Sequence, residues 1–384
     1  MSSSYRSQKA TANSLTLLEK LDIIPAVASV LSNVVAAFVA GAIRSKKTAG
    51  PLWYRYVRLS SIRAATSRFS ARQQHLLFVP TDTIYEQFCK EANIQPDSEV
   101  LEDGTKAHWL GDKNAEKLII NFHGGGYVVP ASPGMFKFMH SISEHLKAQG
   151  KPVAILFLSY DLAPGATYPR QLQQAAALML HVLNNLHRSP KNIFMTGDSA
   201  GAHLMLSLLS HIAHPWNENH PSSSSAIALK GGIPKIELSE RLGGAILISP
   251  WVSFNLKDDS FTRNARKDCI ATQAGTQWSR AFMNSPHPHT ANSDFYNQAI
   301  TAPPSWWKDL TVEEVLVVAG ADEVLVDGIT QFVKKLSTGL GSDRVEFLAA
   351  KDEYHDQPNL DIELGYTQDG AQSRRIKGWL GSKL

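Results

Sequence analysis

Cysteine is almost missing from this 384-residue chain, which holds only Cys89 and Cys269. A disulfide framework is therefore excluded, and a reducing compartment is the better expectation. There is no Asn-x-Ser/Thr sequon, which fits a chain kept out of the secretory lumen. Clusters of Cys and His at metal-ligand spacing are missing too. His287 and His289 stand in a Pro-containing stretch that reads as a solvated loop, so no metal is expected. No cofactor is expected either. The chain's triglycine run lacks both the Gly-x-Gly-x-x-Gly spacing and the Lys-Ser/Thr of a phosphate loop. Charge of one sign is scarce: the net charge is +3, too mild to argue for nucleic acid as a partner. The basic and aromatic stretch from Trp53 to Arg72 reads as a membrane flank or a solvated helix face.

What is present is an ordinary globular composition, 43% hydrophobic and 19% charged. At this length one large α/β domain with an attached subdomain is expected, not two independent domains. A single long uncharged run, Ile23 to Ile43, is long enough to cross a bilayer. Pro25, Ser29, Ser32 and Asn33 interrupt it. Three readings stand: a membrane helix, a soluble cap helix over the active site, or a signal peptide cleaved near Ala40-Gly41-Ala42. If the run spans a membrane, its flanks orient it. Arg44, Lys46, Lys47, Arg55, Arg58 and Arg63 follow it, and only Arg6, Lys9 and Lys20 precede it. That excess keeps the main domain in the cytoplasm; a purely cytoplasmic protein is the other expectation.

Beyond the run, residues 48–97 read as short helices, among them Asp82 to Glu91, and form an N-terminal cap. Ser98 to Trp109 reads as a hairpin turning at Asp103-Gly104. Short apolar strands then alternate with helical patterns. Strands are expected at 118–122, 153–159, 193–196, 245–250, 315–319 and 345–349. Helices are expected at 136–149, 171–187, 200–211, 327–336 and 372–380. This alternation implies βαβ units and a mostly parallel sheet covered on both faces. Two stretches break the rhythm. Residues 214–242, with Ser222 to Ser225 and Gly231-Gly232, read as a surface insertion. Residues 254–310, rich in Trp, Phe, Pro and His, are too long for a connecting loop and read as a lid. The domain plan is thus 1–47, 48–97 and a catalytic unit 98–384.

Two motifs carry chemistry. Gly197-Asp198-Ser199-Ala200-Gly201 follows an expected strand and opens an expected helix, so that small residues let the chain turn sharply and present the Ser199 hydroxyl. The bland alternative is a glycine-rich turn with an inert serine. His123-Gly124-Gly125-Gly126 ends another strand. Backbone N–H groups of Gly124, Gly125 and Gly126, together with that of Ala200, are candidates to hold a developing oxyanion. His203, one turn after Ser199, is read as packing, and His123 as shaping its loop.

Taken with Tyr160-Asp161-Leu162-Ala163-Pro164, these motifs make the chain resemble the hormone-sensitive lipase group of α/β-hydrolases, and steryl acetyl hydrolase-like esterases within that fold, from about residue 98 to 380. The resemblance implies an α/β-hydrolase fold: a mostly parallel central sheet flanked by helices, with an N-terminal cap and an insertion before the penultimate strand. It also implies a Ser, acid, His order and carboxylic esters as substrates. The group's Asp-x-Leu-x-Asp pattern falls on Gly320 to Asp327. Counting back four from Asp327 lands on Glu323, while the aspartate, Asp322, is one residue earlier. Both stay candidates for the acid. His355, after the last expected strand, is the candidate base. The expected function is a serine carboxylesterase acting on a short or medium acyl ester of a hydrophobic alcohol. Amidase, thioesterase or cyclisation chemistry at the same site, and a non-catalytic ligand-binding relative, are the alternatives.

Overall fold

The computed structural model describes residues 14–48, 51–216, 232–288 and 294–384. Arg6, Lys9, the Ser222 to Ser225 run, Gly231 and His289 lie outside the described residues.

The described residues begin with α1 (Leu17–Thr48) and α2 (Pro51–Arg68), where short helices were expected after residue 48. α1 runs through Pro25, Ser29, Ser32 and Asn33 without a break. Ser32 Oγ and Asn33 Nδ2 both donate to the Ser29 carbonyl, at 2.8 Å each, so each side chain finds a partner within the helix itself. The two helices form an antiparallel hairpin. Arg68 grips Asp22 at one end, and the Trp53 indole donates to the Phe38 carbonyl at the other, 3.2 Å away. Three of the four arginines of α2 are therefore tied to the protein, and Arg58 stays exposed. Arg55 pairs with Asp361 at 3.1 Å, and Arg63 donates to the Asp268 carbonyl. Next come α3 (Ala71–Leu77), entered through a capping box at Ser70 and Gln73, and α4 (Thr81–Ala92).

The sheet begins at β1 (Ser98–Val100) and β2 (Lys106–Gly111), the expected hairpin. It continues with β3 (Lys117–Phe122), α5 (Pro133–Ala148), β4 (Val153–Ser159), α6 (Arg170–Asn184), β5 (Ile193–Asp198) and α7 (Ala200–Ala213). After β6 (Gly244–Ile248), the insertion folds as α8 (Ser260–Arg263), α9 (Thr272–Met283) and α10 (Pro304–Trp307). β7 (Val315–Gly320), α11 (Val326–Leu340), β8 (Val345–Ala350), α12 (Gln357–Glu363) and α13 (Ala371–Lys383) complete it. The strand order is β1-β2-β4-β3-β5-β6-β7-β8, parallel from β4 onward, with β2 antiparallel to both β1 and β4.

Alternate residues of each strand feed opposite layers, as a period of two requires. Ile155 and Phe157 join Phe136, Ile142 and Trp379 on one face; Leu156 and Leu158 join Leu172, Met179 and Leu204 on the other. Both faces are buried, which is why the strands read as unbroken apolar runs and not as alternations. The register sets the ends of β5, β6, β7 and β8 side by side: Asp198 faces Ile248, Ile248 faces Val318, and Gly320 faces Ala350. Four loops therefore leave from one edge of the sheet. Phe136 is fully buried and stacks on Phe157, with 4.2 Å between ring centroids. Phe136→Ala should lower stability by about 3–5 kcal/mol in urea unfolding, the usual range for a core aromatic.

Candidate active site

Ser199 sits at the junction of β5 and α7 with φ 52° and ψ −114°, a strained backbone for a non-glycine residue. Hydrogen bonds hold it there: its N–H donates to Ile248 O at 2.8 Å, and its carbonyl accepts from Trp251 N and His203 N. The turn is possible only because its flanks are small. A Cβ on Gly201 would collide with the Phe122 carbonyl, and one on Gly197 would come within 2.6 Å of Gly201.

Beside it lies the triglycine loop. The Gly124 N–H donates to Asp198 Oδ2 at 2.9 Å, so it is occupied by the protein. This corrects the expectation that Gly124 is an oxyanion donor. Among the described residues the amides of Gly125, Gly126 and Ala200 make no hydrogen bond to the protein. His123 is buried, and its Nδ1 lies 2.7 Å from Gly124 O while its ring stacks on Tyr160 at 4.1 Å. Burial pushes its pKa down to about 4, so it stays neutral and shapes the loop. His203 packs likewise. Its Nε2 donates to Asn297 O, which leaves Nδ1 to accept from the Tyr127 hydroxyl. From the insertion, the Trp278 indole covers Gly126 and is fixed by Gln74 Oε1 of α3 at 3.0 Å.

The two carboxylates after β7 part company. Asp322 turns outward to Lys267, 2.7 Å away. Glu323 is fully buried; its Oε2 accepts from Ser249 Oγ at 2.6 Å and from Gly320 N at 3.0 Å. The same oxygen lies 3.9 Å from His355 Nδ1. Glu323 Oε1 and His355 Nδ1 are both buried without a hydrogen-bond partner. The opposite ring nitrogen, Nε2, lies 3.3 Å from Asp356 Oδ2. Burial opposes the charged imidazolium, but the Asp356 and Glu323 carboxylates outweigh it and hold the His355 pKa well above its usual value. Asp198 moves the same way for a different reason. Burial, then the charge of Asp356 against which it rests, pushes its pKa above the usual carboxylate range.

Three participants were not singled out from the sequence. Ser249, at a left-handed φ of 46°, donates to Glu323 and accepts from Asp356 N at 3.3 Å, tying two loops together. Asp198 stood inside a motif read for its serine. Asp268, from the insertion, is fully buried. It accepts from Val324 N at 2.7 Å, Cys269 N at 2.7 Å and His355 N at 3.2 Å, so one carboxylate clamps the acid loop and the histidine loop. Burial raises its pKa to about 6. No sequence signal marks it, because an aspartate after Lys267 in a charged stretch reads as solvated.

With this geometry in view, comparison with known proteins is direct. Residues 119–358 match the family described as alpha/beta hydrolase fold. Steryl acetyl hydrolase 1 of Saccharomyces cerevisiae is 22% identical over 236 residues, 59% of this chain and 49% of that protein. Human hormone-sensitive lipase is 32% identical over 93 residues, 23% of this chain and 8% of the lipase. The chain thus spans about half the length of the first of these relatives, and far less of the second. An esterase from the bacterial hormone-sensitive lipase family superposes with a TM-score of 0.57 at 18% identity, covering 92% of this chain and 98% of that one.

Two outcomes follow from the charges around His355. Asp356→Asn removes the carboxylate nearest Nε2, so the His355 pKa should fall towards the ordinary imidazole range, read by NMR titration of the imidazole. Asp268→Asn sets an amide where three backbone N–H groups need an anion. It should cost about 1.5–3 kcal/mol per charged hydrogen bond lost, measured by urea unfolding.

Proposed function

The chain belongs to the alpha/beta hydrolase family, and from that premise we propose that it is a serine carboxylesterase working through an acyl-enzyme. One observation carries this reading: a serine on a strained elbow beside three backbone amides that no protein group uses. Ser199 Oγ attacks the ester carbonyl while His355 takes its proton. The oxyanion settles against the N–H groups of Gly125, Gly126 and Ala200, which are fixed before charge develops and so reorganise little. Collapse expels the alcohol, protonated by His355. Water then attacks the acyl-enzyme by the same steps in reverse order of roles, and the carboxylic acid leaves. In this reading Glu323 orients the imidazole through Nδ1 and stabilises its charge, as the acid of a triad does. Asp356 holds Nε2 until substrate arrives, and the hydroxyl of Ser199 replaces it in the reacting complex.

The substrate we propose is a short or medium acyl ester of a hydrophobic alcohol. The Trp- and Phe-rich insertion over the glycine loop favours an apolar ligand, and the steryl acetyl hydrolase similarity points the same way. We further propose that the enzyme is membrane-associated through residues 23–43, with its catalytic part on the cytoplasmic side. Two free, buried cysteines support that side.

Kinetics with p-nitrophenyl acetate test the assignment. Ser199→Ala should lower kcat by at least about 10³-fold with the fold retained by circular dichroism. Glu323→Gln should cost about 10²–10⁴-fold, in line with loss of a triad acid, whereas Asp322→Asn should stay within about threefold. Equal losses in the two carboxylate variants, or turnover by Ser199→Ala, would refute these roles.

A further inference from the structure

We infer that α1 lies along a phospholipid bilayer as an in-plane helix and does not cross it, and that the run Leu76 to Val79 belongs to the same docking surface. The inference rests on the membrane association proposed above and specifies its geometry.

The apolar residues left in water are concentrated on one part of the molecule. Fourteen of the sixteen large hydrophobic side chains exposed among the described residues fall between Leu17 and Val79. Isolated exposed residues need no explanation, but a contiguous face does. Along α1 the outward set is Leu17, Leu18, Leu21, Ile24, Leu31 and Val35. The inward set is small: Ala26, Ala37 and Gly41, where a Cβ would collide with the Trp53 ring. Close packing against α2 therefore fully buries only small residues; Ile23, Val30 and Val34 are half-buried, and most of the large side chains stay outside.

A lipid occupant fits this face better than a protein. Ser32 spends its one donor on the Ser29 carbonyl, and Asn33 one of its two N–H groups, so the helix itself meets part of their hydrogen-bonding demand. Stretches within lipid must satisfy their polar groups internally in this way. A specific protein interface would carry about one hydrogen bond per 100–200 Å². The uncharged run from Ile23 to Ile43 offers few groups to make them.

The ties to the body exclude crossing. α1 is held at Glu19, where Ser70 Oγ and Gln73 Nε2 donate at 2.7 and 2.9 Å, at Asp22 by Arg68, and at Phe38 by Trp53. From Asp22 to Phe38 the helix is fixed over about 24 Å at 1.5 Å per residue. Its partner α2 is fixed in turn by Arg55 to Asp361, Arg63 to Asp268 and Ser67 to Gln277. Most of a hydrocarbon core of about 30 Å would have to enclose this hairpin, with Asp22, Arg55, Arg63 and Arg68 inside it. An in-plane helix buries only its outward face, about 5–10 Å deep, and leaves these pairs intact. The Ser70 and Gln73 contacts to Glu19 also place α3, and the Leu76 to Val79 run after it, at the Leu17 end of α1.

The test uses the full chain on phosphatidylcholine–phosphatidylserine vesicles. Cys89 and Cys269 are buried, so reporters at either end of α1, Ser14→Cys and Thr48→Cys, can be labelled selectively by a membrane-impermeant maleimide. Both positions should label on intact vesicles as fully as in detergent. Protection of one of the two until detergent is added would show a spanning helix and overturn the in-plane geometry while sparing membrane association. Leu31→Glu with Val35→Glu should cut co-flotation at least tenfold and leave hydrolysis of a soluble ester unchanged. If the unaltered chain does not float, both this inference and the membrane reading fail. A dimer in solution that these two substitutions dissociate would assign the face to a second copy.

Discussion

Sealing an ionisable side chain away from water is costly unless its surroundings satisfy it, and the sheet edge that carries Ser199 is organised around that requirement. Glu323 is fully buried, and it is tolerable there because Ser249 and the Gly320 amide bind it. Ser249 serves a second carboxylate-bearing residue through the Asp356 amide, and Asp268 fastens the backbone of Val324 and His355. The loops after β6, β7 and β8 thus hold one another. None of the three can shift without leaving a buried acceptor or donor unpaired. Rigidity of this kind is what positions an imidazole relative to a hydroxyl with useful precision.

Asp198 extends the same arrangement to the triglycine loop. It lies one residue before Ser199, receives the Gly124 N–H and rests against Asp356. One side chain therefore connects the glycine loop, the nucleophile elbow and the histidine loop. The Gly124 amide is consumed in building this link, and the next two glycines keep theirs.

The parts legible in the sequence were those whose cause is local. Strands buried on both faces leave unbroken apolar runs, helices leave their own period, and a sharp turn needs small residues at fixed spacing, so β3 to β7 and the turn at Ser199 were readable directly. Glu323 and Asp322 were not separable, because only a fold decides which of two adjacent carboxylates turns inward; here Lys267 draws Asp322 outward. Ser249 and Asp268 left no trace, since they bind partners 56 to 107 positions away. The N-terminal hairpin was misread in part for the same reason. Its arginines look like a solvated face until Asp22, Asp361 and the Asp268 carbonyl appear opposite them.

The central claim is that this burial network makes a single serine nucleophilic. Treatment with a fluorophosphonate followed by peptide mapping reads that directly. The account predicts one adduct, on the peptide containing Ser199, formed far more slowly in the His355→Ala protein. An adduct on another serine, or labelling of Ser199 at the same rate without the imidazole, would contradict it.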